Sequence, residues 1–451
     1  MNDTIVALAT PVGKSGVAVI RISGENALKV AQFFGVTKPL IPRMTHYCQL
    51  QNIYTKTPID QSLIVYFAAP HSFTGEDVLE LHCHGSKAVI DEIIQLLLQS
   101  KLVRYAEAGE FSRRALENGK MDLLQAEALA DLIDAETLAQ RDLALRQMGG
   151  EVSLKFQSLE QSIIEVRAFA EVHLDFPDDD IPHDIELQLN QRINDCITQI
   201  DKLLKTAKVG REIREGIQVA IIGVPNAGKS TLLNAIAGKK VAITSEIAGT
   251  TRDAISHYKQ IDGVVYCFTD TAGIRNTQDE IESQGILIAK DVGASADLQL
   301  CIIDLSQNIT DQWQSLKQIV SRETIVICNK LDLLSDEALG KQKLELAKMK
   351  IVSRETIYVS ASYPPDIENI INLIKQQRNI VINDAIYVTR TRHVVHLQAA
   401  IEYLLSAQME FDMVLKAQFL IYACNEVGMI LGKINIEKVL DVLFSSFCIG
   451  K

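Results

Sequence analysis

The feature that most constrains this fold is the run QVAIIGVPNAGKSTLLNAIAG at residues 218–238. Its unbroken apolar stretch, VAIIG, is the pattern of a strand buried on both faces, as in a parallel sheet covered by helices. The strand pattern leads at once into Gly223–Ser230, spelled G-x-x-x-x-G-K-S, and then into an apolar helical pattern. Glycines in such a loop let backbone N–H groups converge on phosphate oxygens at a helix N-terminus. Lys229 is placed to reach the β- and γ-phosphates and the Ser230 hydroxyl to take a place on Mg²⁺, with Asn226, Ala227, Gly228 and Thr231 completing the wrap.

Three further motifs follow in order, each at the end of an apolar strand pattern. FTDTAG ends the run VVYCF and places Asp270 to hold Mg²⁺ through water, followed by Thr271, Ala272 and Gly273. TIVICNKLD ends a third strand. Asp332 there can accept both the N1–H and the exocyclic amine of guanine, a donor pair adenine lacks, while Asn329 and Lys330 support the loop and cover the base. IYVSAS ends a fourth, with the Ser360–Ala361 backbone available to the guanine oxygen. Together they predict a Ras-like GTPase domain, with sites at the carboxyl ends of parallel strands.

The hydrolytic machinery is less ordinary. Ile274 follows DTAG where many small GTPases carry a water-positioning glutamine, and isoleucine cannot orient a water. Asp279, Glu280 and Glu282 are the nearby carboxylates, and on spacing alone a solvated helix start is the plainer reading of all three. In TSEIAGTTRD, Thr251 is the natural second Mg²⁺ ligand, and the carbonyls of Ser245, Glu246, Ile247, Ala248, Gly249 and Thr250 can curl over the phosphates. With the Asn226 side chain they offer an oxygen cage for a large monovalent cation, which can supply the transition-state charge of an arginine finger. A polar switch loop without an ion fits the same residues.

The flanks predict more than one domain, because 451 residues exceed a single core. From about 122 to 208 the pattern is helical. LLQAEALADLIDAETLAQRDLALRQ reads as one run, GGEV as a turn, and a second long helix reaches about Leu174. DFPDDDIPHD breaks the pattern and a third helix starts near Ile185. HVVHLQAAIEYLLSAQ and residues 414–443 resume it, which predicts one helical domain (119–214 and 378–451) interrupted by a G domain (215–377). Residues 1–118 mix strands and helices. In VLELHCHG, Leu79, Leu81 and Cys83 face one way and Glu80, His82 and His84 the other. Same-face neighbours on one strand rarely complete a metal tetrahedron, so a polar ligand-facing or interface strand is the expectation.

A net charge of −12 argues against a generic nucleic-acid coat, so any nucleic-acid contact calls for a local basic patch or a partner's surface. The eight cysteines show no C-x-x-C pair, the start shows no leader, and no run of eighteen apolar residues occurs. The expectation is a cytoplasmic protein with reduced thiols and no membrane contact.

GVPNAGKS, IAGTTRD, DTAGIR, NKLD and the terminal CIGK together resemble the MnmE (TrmE) family of tRNA uridine-modification GTPases, over the whole chain. The resemblance implies a multidomain α/β protein: an α+β folate-binding-like, dimerising domain at 1–118, a helical bundle, and an inserted P-loop GTPase. It further implies a potassium-activated GTPase, with Asn226, Ser245, Ile247 and Thr250 on K⁺, Ser230 and Thr251 on Mg²⁺, and Glu282 orienting the water indirectly. Arg21, Glu80, Lys120 and Lys451 match positions that contact 5,10-methylene- or 5-formyl-tetrahydrofolate. Implied partners are a second copy, the FAD-dependent MnmG in a heterotetramer, and tRNA, whose wobble uridine receives a carboxymethylaminomethyl or aminomethyl group at C5. Cys448 is open to three readings, a buried small hydrophobe, a nucleophile or a redox thiol. One departure is YPPD after SAS, where a glycine-containing turn is more usual. A ribosome-assembly GTPase shares the G motifs but has neither a folate-like domain nor CIGK. A GTPase regulated by folate without a part in the chemistry is the third alternative.

Overall fold

The computed structural model describes residues 3–175, 185–237, 256–270, 296–320, 324–349, 353–377, 386–433, 437–445, 447, 449 and 450. The chain begins with β1 (Ile5–Leu8), β2 (Ser15–Ser23), α1 (Ala27–Phe33), β3 (Thr45–Gln51), β4 (Pro58–Phe67), β5 (Val78–Gly85), α2 (Lys87–Gln99), β6 (Arg104–Tyr105) and α3 (Glu110–Glu117). Helices α4 (Leu123–Ile133), α5 (Leu138–Met148), α6 (Glu151–Asp175), α7 (Ile185–Leu204) and α8 (Ala207–Glu215) follow. Next come β7 (Ile217–Gly223), α9 (Lys229–Ala237), β8 (Ser256–Ile261), β9 (Val264–Asp270), β10 (Leu298–Asp304), α10 (Ile309–Leu316), β11 (Thr324–Asn329), α11 (Asp336–Lys348), β12 (Glu355–Tyr358) and α12 (Pro364–Gln377). The chain closes with α13 (Thr391–Met409), α14 (Met413–Leu431) and α15 (Glu437–Ser445). Two compact units result. One comprises Met1–Asp134, Ala144–Leu204 and Thr391–Lys451, the other Ala135–Leu143 and Lys205–Arg390.

In the second unit the sheet order is β12-β11-β10-β7-β9-β8, parallel throughout except for β8. Every residue of β10 and β11 is buried, which explains their continuous apolar sequence. Ile221, Ile302 and Ile327 pack on one face with Leu233 and Ile236 of α9 and Ile370 and Ile374 of α12. Ile222, Cys301 and Cys328 pack on the other face with Ile309 and Leu316 of α10 and Leu346 of α11. Burial pushes the Cys301 and Cys328 thiols up to about 12, so both behave as small hydrophobes. No disulfide joins the described cysteines.

The first unit holds a second sheet, β3-β4-β5-β2-β1-β6, antiparallel except where β6 runs beside β1. The alternation read in VLELHCHG is present: Leu79, Leu81 and Cys83 are buried against α1 and α2, while Glu80, His82 and His84 lie on the other face. Beside this sheet, α6, α7, α13 and α14 form a bundle around Leu159, Ile163, Ile193, Leu397, Leu404, Leu420 and Val427. By length and composition α14 can cross a membrane; Leu420, Val427 and Ile430 are buried in this core, where the helix packs with α6 and α13.

One expected element is corrected. The run from Leu123 to Gln147 is not one helix; it stops at Ile133 and restarts at Leu138. The reason is a local signal, TLAQ. Gln140 N–H donates to Thr137 Oγ1 at 3.2 Å and the Gln140 side chain accepts from the Thr137 N–H at 3.1 Å, the reciprocal bonds that open a new helix.

Candidate functional site

The nucleotide loop is built mainly from backbone groups. It leaves β7, passes through Asn226 at φ 63° and Gly228 at φ 97°, and enters α9 at Lys229. A Cβ on Gly228 falls 2.2 Å from Asn329 Nδ2, so only glycine fits there. Lys229, 6% exposed, folds over its own loop and donates to the Gly223 and Val224 carbonyls, both at 2.8 Å. Ser230 Oγ donates to Asp270 Oδ2 at 3.1 Å, because β9 runs parallel to β7 with Asp270 opposite Ile221. Two hard oxygens meeting at a helix N-terminus suit Mg²⁺.

The base end of the site is braced by Asn329, buried at the end of β11. It donates to the Ala227 carbonyl and accepts from the Ala361 N–H, both at 2.9 Å, tying the phosphate loop to the SAS loop. Ser360 N–H donates to Asp366 Oδ2 at 2.7 Å, so the aspartate of YPPD steadies the loop that lacks the usual glycine. The Ala361 N–H is thus already engaged by Asn329. Asp332 is exposed on the short 3-10 turn Leu331–Leu333, and Thr231 on the first turn of α9. Lys330, at φ 66°, turns its ammonium to Asp304 Oδ2 at 2.6 Å. Burial acts to raise the Asp304 carboxyl, but the Lys330 and Ser306 hydrogen bonds win and hold it below the usual carboxylate range. Sequence reasoning missed Asp304 and Asp366. The available signals were an aspartate closing the apolar strand LQLCIID and the polar end of YPPD.

Ser245, Glu246, Ile247, Ala248, Gly249, Thr250, Thr251, Thr271, Ala272, Gly273, Asp279, Glu280 and Glu282 lie outside the described residues. So do Cys448 and Lys451. Of the expected K⁺ ligands, only Asn226 is described.

A second constellation forms in the first unit. Arg21 on β2 donates to Glu80 on β5 at 2.9 Å, its register partner, and His82 meets the other Glu80 oxygen at 3.1 Å. The Arg21 guanidinium lies 5.8 Å from the Phe73 ring centroid and 5.9 Å from that of Phe111. It also donates to the Gly450 carbonyl at 3.4 Å. Ile449 and Gly450 are thus seated here. Ile449 bridges Ala108, and Gly450 at φ 107° leaves a Cβ only 2.3 Å from the Leu8 carbonyl, a position open to glycine alone. Phe444 and Phe447 anchor the tail by packing with Leu123 and Ala126 of α4. Lys120 donates to the Pro70 carbonyl at 2.8 Å and its stem lies beside Gly75, on the loop that carries Phe73. His84 is paired with Asp60 at 2.7 Å, and among the described residues no three metal-ligating side chains cluster. A guanidinium–carboxylate pair beside two aromatic rings can receive a heterocycle that offers hydrogen-bonding edges. Phe73, Phe111 and Gly450 had no local pattern by which sequence reasoning could find them.

Comparison with known proteins supplies the rest. A family model described as the MnmE helical domain matches residues 123–448, and one described as the GTP-binding protein TrmE N-terminus matches residues 4–120. The tRNA modification GTPase MnmE of Pelagibacter ubique is 39% identical over 455 residues, covering 99% of this chain and 100% of its own. That of Rickettsia bellii is 36% identical over 450 residues, covering 100% of both chains. That of Wolbachia pipientis is 39% identical over 456 residues, covering 100% of this chain and 99% of its own.

Proposed function

The chain belongs to the MnmE family of tRNA modification GTPases, and from that premise we propose that it joins GTP hydrolysis to a folate-dependent modification of tRNA. It is a GTP hydrolase that takes part in tRNA modification, with GTP as substrate and Mg²⁺ as the usual ion. The finer reading is that K⁺ activates hydrolysis and that, with the FAD-dependent MnmG, the protein installs a carboxymethylaminomethyl or aminomethyl group at C5 of the wobble uridine. A homodimer joined through residues 1–118, a heterotetramer with MnmG and a cytoplasmic setting without membrane contact complete it. The division is 1–118 for the folate-binding domain, 119–214 and 378–451 for the helical domain, and 215–377 for the G domain.

Within the G domain, Lys229 and the loop amides bind the β- and γ-phosphates, and Asp332 reads the guanine edge. When bound, Mg²⁺ neutralises charge on those phosphate oxygens; Ser230 and Thr251 are its protein ligands, with Asp270 acting through water. Asn226, Ser245, Ile247 and Thr250 would hold K⁺, the latter three partly through backbone oxygens, and the ion would supply positive charge to the phosphates. Glu282 orients the attacking water indirectly. In the N-terminal domain Arg21, Glu80, Lys120 and Lys451 hold the tetrahydrofolate, which supplies a one-carbon unit, and Cys448 is assigned to the same chemistry as a thiol. The observation that carries this reading is the Gly450 carbonyl accepting from Arg21, which puts the chain's end at the Arg21–Glu80 pair.

Two measurements test it. Titration calorimetry with 5-formyl-tetrahydrofolate should show binding that Arg21→Ala abolishes; no binding by the unsubstituted protein removes the folate assignment, and equal binding by the variant removes Arg21 from it. GTP turnover in matched K⁺ and Na⁺ buffers should show stimulation by K⁺ that Asn226→Ala removes. Equal rates in both salts would sink the cation cage.

A further inference from the structure

Lys330 is held by a neighbour that no sequence motif contains. Asp304 is the last residue of β10, has no solvent exposure, and stands opposite Asn329 in the parallel register of β10 and β11. That register brings it beside the residue after Asn329. Its carboxylate is divided between two tasks. Oδ1 accepts from the Ser306 N–H at 2.9 Å and the Ser306 hydroxyl at 2.6 Å, and Oδ2 accepts from the Lys330 ammonium at 2.6 Å. The backbone of Asp304 is clamped as well. Its N–H donates to Gln312 Oε1 at 2.9 Å and its carbonyl accepts from Gln312 Nε2 at 2.8 Å. The aspartate is therefore rigid at every polar atom, while the lysine it holds is 28% exposed.

A buried carboxylate tied to a rim lysine adds little net stability, because desolvation offsets most of the attraction. It does something else well. A free lysine stem must lose its rotamer freedom to lie over a base, and a tethered one has lost it already. Pairing also neutralises the ammonium, so the methylene stem presents an apolar face to the ring. We propose that Asp304 is a positioning residue for guanine-nucleotide binding, anchoring the Lys330 head so that the lysine stem stands preorganised over the base. The inference rests on the assignment of Lys330 to the guanine site.

The test uses the full chain with GDP and GTP. Affinity for GDP comes from calorimetry and KM and kcat from phosphate release. Asp304→Ala should raise the GDP Kd and the GTP KM about tenfold, with kcat falling less than KM rises. Asp304→Asn should recover most of that loss, since a carboxamide oxygen still accepts from Lys330. In a Lys330→Ala background Asp304→Ala should add no more than about twofold, because its effect runs through the lysine. If Asp304→Ala is too unstable to assay, Lys330→Met, which keeps the stem and removes the head, should reproduce the tenfold loss. Wild-type affinity in Lys330→Met, or a full additive loss in the double variant, would overturn the tether. Wild-type affinity in Lys330→Ala would instead overturn the assignment of Lys330, and this inference with it.

Discussion

The nucleotide site and the Arg21 site are assembled in opposite ways. At the first, most groups are backbone atoms of short contiguous motifs: Lys229 meets carbonyls five and six residues away, and Ser230 meets Asp270 on a neighbouring strand. At the second, groups far apart in sequence are brought together, the Arg21 side chain meeting the Gly450 carbonyl across 429 residues. The rest of the first unit repeats the second style. Glu127 of α4 accepts from Arg392 of α13 at 2.6 Å and meets His393 at 3.1 Å, while Arg392 also caps the Met429 and Ile430 carbonyls of α14. Arg114, 4% exposed, is held by Glu76 and Glu110. A site made of backbone geometry is robust to distance and readable from a motif. A site made of long-range ion pairs depends on the whole unit being folded.

Four experiments break or sharpen that contrast. The largest effect is expected from Lys229→Ala, which should lower GTP turnover by about 10³-fold, about 4 kcal/mol, in a phosphate-release assay. Folate affinity should change little in the same variant, and a parallel loss would mean that the two sites are not built independently. Glu127→Ala removes the shared acceptor of Arg392 and His393 and should cost about 3–5 kcal/mol in urea unfolding of the first unit. A loss below about 1 kcal/mol would show that the long-range pairs do not hold it together.

Acid should separate the two styles next. Burial acts to raise the Glu110 carboxyl, but hydrogen bonds from Arg104, Glu107 and Arg114 bring it down to about 2. The folded state therefore holds fewer protons there. Its contribution is whole above an ordinary value of 4.5 and disappears as pH falls through about 2. Glu110→Gln should cost about 2 kcal/mol at pH 7 and close to nothing at pH 2, read from denaturant midpoints across pH. A deficit that does not shrink on acidification would contradict the pairing. The smallest effect is expected from Gly450→Ala, which cannot keep φ 107° against the Leu8 carbonyl. Folate affinity should drop about tenfold, roughly 1.4 kcal/mol. Removal of residues 449–451 also takes away Lys451, so its loss should be at least as large. An undiminished affinity would mean that the tail contact is incidental and that Lys451 is not a folate contact.

The legibility of each region follows from the same physics. A phosphate loop needs glycines, a lysine and a hydroxyl at fixed spacing on a strand–helix junction, so Gly223–Ser230 announces both the site and the fold around it. The apolar runs of β7, β10 and β11 are likewise forced by burial on both faces. Where reading failed, a local signal was present but outweighed. The periodicity through Leu123–Gln147 hid the Thr137–Gln140 cap, and YPPD looked like a defect although Asp366 steadies the loop. The meeting of Arg21 with Gly450 had no local signal, since no spacing relates Arg21, Phe73, Phe111 and Gly450.

By itself, then, the sequence determined the parallel sheet, its four nucleotide motifs and the alternation that turns Glu80 and His82 away from the core, because each rests on periodicity or on backbone geometry within a few residues. The tertiary structure alone decided that Asp304 would hold Lys330, that Glu127 would hold Arg392 and His393, and that Gly450 would end beside Arg21. Those contacts are set by which strands and helices become neighbours, and a charge acquires its partner only when packing removes the water between them.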